Sequence, residues 1–146
     1  MCIRDRVGTL ERLKARIDAP LLQLMQAGGG PADRPGATYA EMATPQGLAE
    51  IARYGDAVGV QDLMVVPRDN AGRALEASPL TKDAHAAGLK VVVWTFRAEN
   101  LFLPAQYRVG EAPADHGDLI GWLKAVYALG VDAVFSDFPA AAVNAR

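Results

Sequence analysis

The chain has 146 residues, 51% hydrophobic and 22% charged, the balance of a globular domain and not of a disordered segment. Its net charge of -2, with no basic stripe, lacks the electrostatic footprint that nucleic-acid binding needs. No apolar run approaches the roughly 20 residues that span a bilayer. Met1 to Arg6 has no apolar core of the signal-peptide kind, and the lone Cys2 leaves no disulfide framework and no cysteine-based metal site.

Residues 1–6 read as a non-native or disordered leader, and residues 7–146 as one domain. Leu10, Leu13 and Ile17, at i, i+3 and i+7, predict a short amphipathic helix that Pro20 ends. Leu21-Leu-Gln-Leu-Met25 predicts a buried strand, and the breakers from Gly28 to Gly36 predict a long loop. Thr44-Pro45 marks a helix start with proline at the first position; Leu48, Ile51 and Ala52 form its apolar face and Gly55 its stop. Ala57 to Val60 is the second strand. Ser78-Pro79 repeats the start signal, with Leu80, Ala84 and Ala87 inward and Gly88 as the stop, before a third strand from Leu89 to Thr95. A helix from about Asp118 to Leu129 buries Leu119, Trp122, Leu123, Val126 and Tyr127 in some combination, and Val131 to Ser136 is the fourth strand.

The order helix, glycine, strand, polar tip recurs at Gly55, Gly88 and Gly130, at intervals of 33 and 42 residues. Each interval fits one strand, one loop and one crossover helix, which needs roughly 30 residues or more. Strands such as Lys90 to Trp94, rich in valine with little alternation, predict a parallel sheet covered by helices on at least one face. Four strands suit a small open sheet or half of an eight-stranded barrel, and in both the site lies in the loops after the strands.

Six words stand in order along most of the chain: Leu21-Leu-Gln-Leu24, Ala43-Thr-Pro-Gln-Gly-Leu48, Tyr54-Gly-Asp-Ala-Val-Gly59, Asp83-Ala-His-Ala-Ala-Gly-Leu89, Val93-Trp-Thr-Phe-Arg-Ala-Glu-Asn100 and Gly130-Val-Asp-Ala-Val-Phe-Ser-Asp-Phe-Pro139. Together they resemble the glycerophosphodiester phosphodiesterases, in particular the bacterial periplasmic-type branch. The resemblance implies an α/β chain forming the C-terminal half, about four βα units, of a TIM-type (β/α)8 barrel, which as a whole takes about 250 residues. It implies hydrolysis of a glycerophosphodiester, the small-molecule substrate, to an alcohol and glycerol 3-phosphate. A divalent metal, Ca or Mg, and two histidines acting as acid and base serve the full-length enzyme, and the branch implies a periplasmic or secreted location. The family's His-Arg-Gly, Glu-Asn-Thr and Glu-x-Lys words do not occur here. No catalytic residue and no metal ligand is therefore expected in this chain, and the fragment alone is expected to be inactive and marginally stable. Two other readings are a non-catalytic α/β binding module, able to complete its sheet with a second copy, and an inactive barrel homologue.

Within that resemblance five residues are candidate substrate contacts. Trp94, at a strand's end, either packs against the glycerol or alcohol moiety or fills the core. Arg97 either meets phosphate as a bidentate donor or pairs with Glu99. Phe102 is either a lid over the barrel mouth or an ordinary exposed aromatic. Asp137 either binds a substrate hydroxyl or caps the short final helix. Gln23 either reaches inward or bonds a buried backbone group. Glu99 and Asn100 supply too few oxygen ligands for a hard cation and read as loop structure. His85 reads as structural on an outer helix, and His116 has no ligand partner at metal spacing.

Overall fold

The computed structural model describes all 146 residues. Five strands form one parallel sheet in sequence order: β1 (Cys2–Arg4), β2 (Leu21–Met25), β3 (Ala57–Gln61), β4 (Lys90–Phe96) and β5 (Ala133–Ser136). The connections carry α1 (Val7–Lys14), α2 (Tyr39–Met42), α3 (Pro45–Ile51), α4 (Asp62–Val65), α5 (Leu80–Ala86) and α6 (Leu119–Tyr127), and α7 (Pro139–Asn144) closes the chain. The result is a half-barrel.

Three of the four expected strands lie within one residue of their expected limits, because valine and leucine runs between glycine stops leave little choice. The fourth begins two residues late, at Ala133. The expected leader is partly ordered: residues 2–4 pair with β2 as a fifth strand, and the Cys2 amide donates to the Pro20 carbonyl at 2.8 Å. The apolar stripe of α1 is shorter than predicted. The helix stops at Lys14, and Ile17 lies beyond it and is exposed, because the chain must turn back before Pro20 to start β2.

Two short helices escape the periodicity rule because each is a single turn. Helix α2 is set by a capping box, in which the Thr38 hydroxyl accepts from the Glu41 amide and the Glu41 carboxylate accepts from the Thr38 amide. Helix α4 follows directly on β3. The Gly28–Gly36 loop is folded back on itself: a Cβ on Gly30 would fall 1.9 Å from the Ala37 carbonyl oxygen, so only glycine fits. From this loop the Asp33 carboxylate reaches back to accept from the Val7 and Gly8 amides, satisfying the start of α1.

The faces of the sheet are unequal. Toward the helices lies a continuous core of 26 buried residues, with Leu10, Leu21, Leu48, Val58, Val91 and Leu123 at its centre. The opposite face, the inner face of a barrel, buries only Leu22, Ala57 and Val92, with Ile3, Leu24, Ala133 and Phe135 partly covered. Helix coverage on one face only, with β1 and β5 both unpaired at their outer edges, is the geometry of an open barrel segment.

Candidate functional site

The carboxyl ends of β3, β4 and β5 come together through the loops that follow them. Between β4 and β5 the register slips: Val93 pairs with Val134, but Phe96 pairs with Ser136, so β4 advances three residues while β5 advances two. Such an irregularity re-aims the side chains beyond it. The Ser136 hydroxyl donates to the Phe96 carbonyl at 3.0 Å and accepts from the Phe138 amide at 3.0 Å, while the Asp137 amide donates to the same Phe96 carbonyl at 3.1 Å. The two strand tips are thus fastened together, with Arg97 and Asp137 emerging side by side.

Three of the five candidate residues meet here. Arg97 Nε donates to Asp137 Oδ2 at 2.6 Å, and the Arg97 guanidinium lies 4.7 Å from the centre of the Phe102 ring. Arg97 therefore does not pair with Glu99, and Asp137 does not cap the final helix. The N-cap of α7 is Phe138, with no side-chain bond, because the Arg97 guanidinium has claimed the Asp137 carboxylate. Held by its Nε and stacked on a ring, the guanidinium keeps its two terminal nitrogens free of protein partners, and the side chain is 41% exposed. A cation over an aromatic face in an exposed setting contributes about 0.5–1 kcal/mol, enough to orient the group without burying it.

Trp94 sits one step back on β4, half-buried and paired in register with Gln61. Its indole Nε1 is buried and has no partner within the chain. Gln23 does not join the cluster. Residues alternate between faces along β2, and Leu21 and Met25 belong to the helix-side core. Gln23 shares that side, fully buried, where it accepts from the Tyr54 hydroxyl at 3.1 Å and donates to the Asp5 and Leu24 carbonyls. The backbone-bonding alternative is the one the structure shows. Burial raises the Tyr54 hydroxyl well above its ordinary range, so it stays a donor to Gln23.

Asn100 is loop structure: it donates to the Val109 and Ala112 carbonyls and accepts from the Val109 amide, closing residues 100–112 into a compact excursion. His85 lies on α5 and meets Asp132 at 2.9 Å, far from the strand tips. His116 is nearer the rim than the sequence indicates, packing edge-on against Phe138 with centroids 5.3 Å apart.

Two residues of this end went unnoticed in the sequence. Asp62 directly follows β3, and its carboxylate takes the Arg68 Nη2 at 2.5 Å; the same Nη2 donates to the Phe102 carbonyl at 2.8 Å. Both side chains are largely buried. Burial pushes the Asp62 carboxyl above its usual range even against the opposing attraction of Arg68. Asp62 was findable, since a carboxylate at the C-terminal end of a parallel strand is where this architecture places site residues.

No three His, Cys, Asp or Glu residues come together to hold a metal ion. Of the carboxylates that follow the strand ends, Asp62 and Asp137 are each engaged by an arginine, and Glu99, whose Oε2 is buried without a partner, has no second free carboxylate beside it, so the donor set present does not fit a divalent cation and no step is routed through one here. Two surface hollows lie elsewhere. One of about 750 Å³ is lined by Glu11, Arg34 and Tyr54 on the helix side, and one of about 1020 Å³ by Lys90, Val92 and Asp132 at the amino ends of the strands. In this architecture those are the structural faces, whereas chemistry gathers at the carboxyl ends.

An open parallel half-barrel with its polar cluster at the carboxyl ends of successive strands defines a protein of the (β/α)-barrel class. The sequence model of the glycerophosphoryl diester phosphodiesterase family matches residues 5–141. The chain belongs to that family. The fold is also similar to a solved structure from Silicibacter pomeroyi DSS-3, assigned as a glycerophosphoryl diester phosphodiesterase. The TM-score is 0.52 and the sequence identity 22%, over 95% of this chain. The match covers 34% of that protein's chain, so this chain spans about a third of its length.

Proposed function

We propose that the chain forms the substrate-side rim of an enzyme that hydrolyses glycerophosphodiesters to an alcohol and glycerol 3-phosphate. One observation carries this reading: Arg97, tethered by Asp137 and stacked on Phe102 at the tips of β4 and β5, is partly exposed and keeps its two terminal nitrogens without protein partners. A guanidinium so held is a ready bidentate donor to a phosphodiester's two non-bridging oxygens. Trp94, half-buried on the same strand, offers an apolar surface to the glycerol or alcohol part.

The acid, the base and any Ca²⁺ or Mg²⁺ are assigned to residues beyond this chain, in a full-length protein of the periplasmic-type branch that works in the periplasm or outside the cell. The chain alone then binds substrate without turning it over.

Titration of the chain with glycerophosphocholine, followed by NMR, tests this. Saturable shifts at Arg97 and Trp94 are expected, weakened about tenfold in Arg97→Ala, the worth of a charge-assisted hydrogen bond pair. No choline is expected to be released with Ca²⁺ or Mg²⁺. Undiminished affinity in Arg97→Ala would sink the binding assignment, and metal-dependent release of choline would sink the assignment of the chemistry to residues elsewhere.

A further inference from the structure

We infer that Arg68, held by Asp62, is a positioning residue for phosphodiester binding; it acts through Phe102 and rests on the reading just given. The residues form one line across three strand tips. Asp62 is fixed at the end of β3, where its Oδ1 accepts from the Leu63 amide at 2.9 Å. Its Oδ2 anchors Arg68 Nη2, and that nitrogen donates to the Phe102 carbonyl. The Phe102 ring supports the Arg97 guanidinium, and Asp137 at the end of β5 fixes Arg97 Nε. Arg68 is the one side chain that bonds the Phe102 carbonyl, so the height of the ring over the rim depends on it.

The surroundings support a strap and not a chance surface pair. The segment after α4 folds back with Arg68 bridged to Ala74, and the Asp69 carboxylate accepts from the Ala71 and Arg73 amides. That fold docks onto the loop carrying Phe102: the Ala105 amide donates to the Gly72 carbonyl, and the Ala74 amide to the Gln106 side chain. Arg68 and Asp62 lie beneath this contact at 15% and 18% exposure, where an ion pair resists salt and holds its geometry better than an exposed one. Arg68 Nε is also buried and has no partner within the chain, so the guanidinium is held in place by its Nη2 contacts with Asp62 and the Phe102 carbonyl.

The test separates positioning from binding. Stacking shifts the Arg97 δ-methylene protons through the Phe102 ring current, a signal readable by NMR in the chain without any ligand. In Arg68→Met that shift is expected to collapse, while the amide resonances of Leu10 and Leu123 in the helix-side core stay in place. Glycerophosphocholine affinity is expected to fall about threefold to tenfold, the worth of one hydrogen bond. In a Phe102→Ala background, Arg68→Met is expected to weaken binding no further, which a merely structural role would not produce. Arg68→Lys, which keeps a donor but not the planar fork, is expected to give intermediate shifts, and it decides the matter should Arg68→Met fail to fold. An unchanged Arg97 shift in either variant overturns the inference whatever the affinity. A collapsed shift in a chain that never binds the probe supports the positioning role and counts against the function proposed above.

Discussion

The two ends of the sheet use the same residue types for different ends. At the amino end, Asp56 just before β3 accepts from the Leu21 amide of β2, and Asp132 just before β5 accepts from the Val91 amide of β4. Each is backed by a side chain from a helix, Lys14 of α1 at 3.1 Å and His85 of α5 at 2.9 Å. This device, used twice, ties strand to neighbouring strand and strand to helix. At the carboxyl end the carboxylates bond guanidinium groups, Asp62 that of Arg68 and Asp137 that of Arg97, and the Arg97 group keeps two nitrogens without protein partners. The amino end ties its carboxylates to the backbone of the neighbouring strand, whereas the carboxyl end spends its carboxylates on arginines. That division between a stabilising and a functional face is the one expected of a barrel built from βα units.

Gln23 is the residue that most nearly breaks the comparison, and it carries the largest expected effect. It lies at the middle of β2, and its hydrogen bonds are spent on Tyr54 and two backbone carbonyls on the helix side. Gln23→Ala is expected to cost about 2–4 kcal/mol in chemical denaturation, from a cavity and from stranding the buried Tyr54 hydroxyl. Glycerophosphocholine binding should be unchanged in the folded fraction. A loss of affinity with little loss of stability would return Gln23 to the substrate side.

Gln23 shows where the sequence stops informing, since the sequence leaves open which of its two alternatives holds. The valine-rich runs and the glycine stops made the strands legible nearly to the residue, since both are local signals. Which face a strand residue occupies depends on register, and one step along β2 exchanges the barrel interior for the helix layer. The pairing of Arg97 with Asp137, and not with Glu99, was equally out of reach. It joins residues 40 positions apart through a slipped β4–β5 register that no local pattern announces. Asp62 was accessible by position alone; its partner Arg68, six residues on in an irregular loop, was not.

A smaller effect separates the ends directly. Asp132→Ala removes the acceptor for the Val91 amide and the contact with His85, and is expected to cost about 1–2 kcal/mol. Asp137→Ala is expected to cost no more than about 0.5 kcal/mol, since its pair is exposed and joins loops and not strands. Urea denaturation of the two variants makes the comparison. Equal losses would show that the carboxyl end is stabilising the fold as much as the amino end, and the division drawn above would fall.

The smallest effect is the response to acid, and its sign differs between the ends. The Leu21 amide, and then Lys14, hold the Asp56 carboxyl below its ordinary value. For Asp132, burial alone would raise the value, but the Val91 amide, His85 and Lys90 outweigh it and the net direction is down. A carboxyl lowered by folding contributes stability that is present above its unfolded value, about 3.9, and is lost as pH falls through the lower folded value. Asp62 is raised by burial, so its contribution runs the other way: present at low pH and lost as pH rises through the folded value. Between pH 6 and pH 3 the wild-type chain is therefore expected to lose stability that Asp56→Asn, with no proton to gain, loses less of. Asp62→Asn should leave the acid loss intact or deepen it, because it removes the one group of the three that opposes it. Denaturation midpoints at those two pH values decide the matter, and an Asp62→Asn variant that flattened the acid limb as Asp56→Asn does would show both ends to be governed by the same electrostatics.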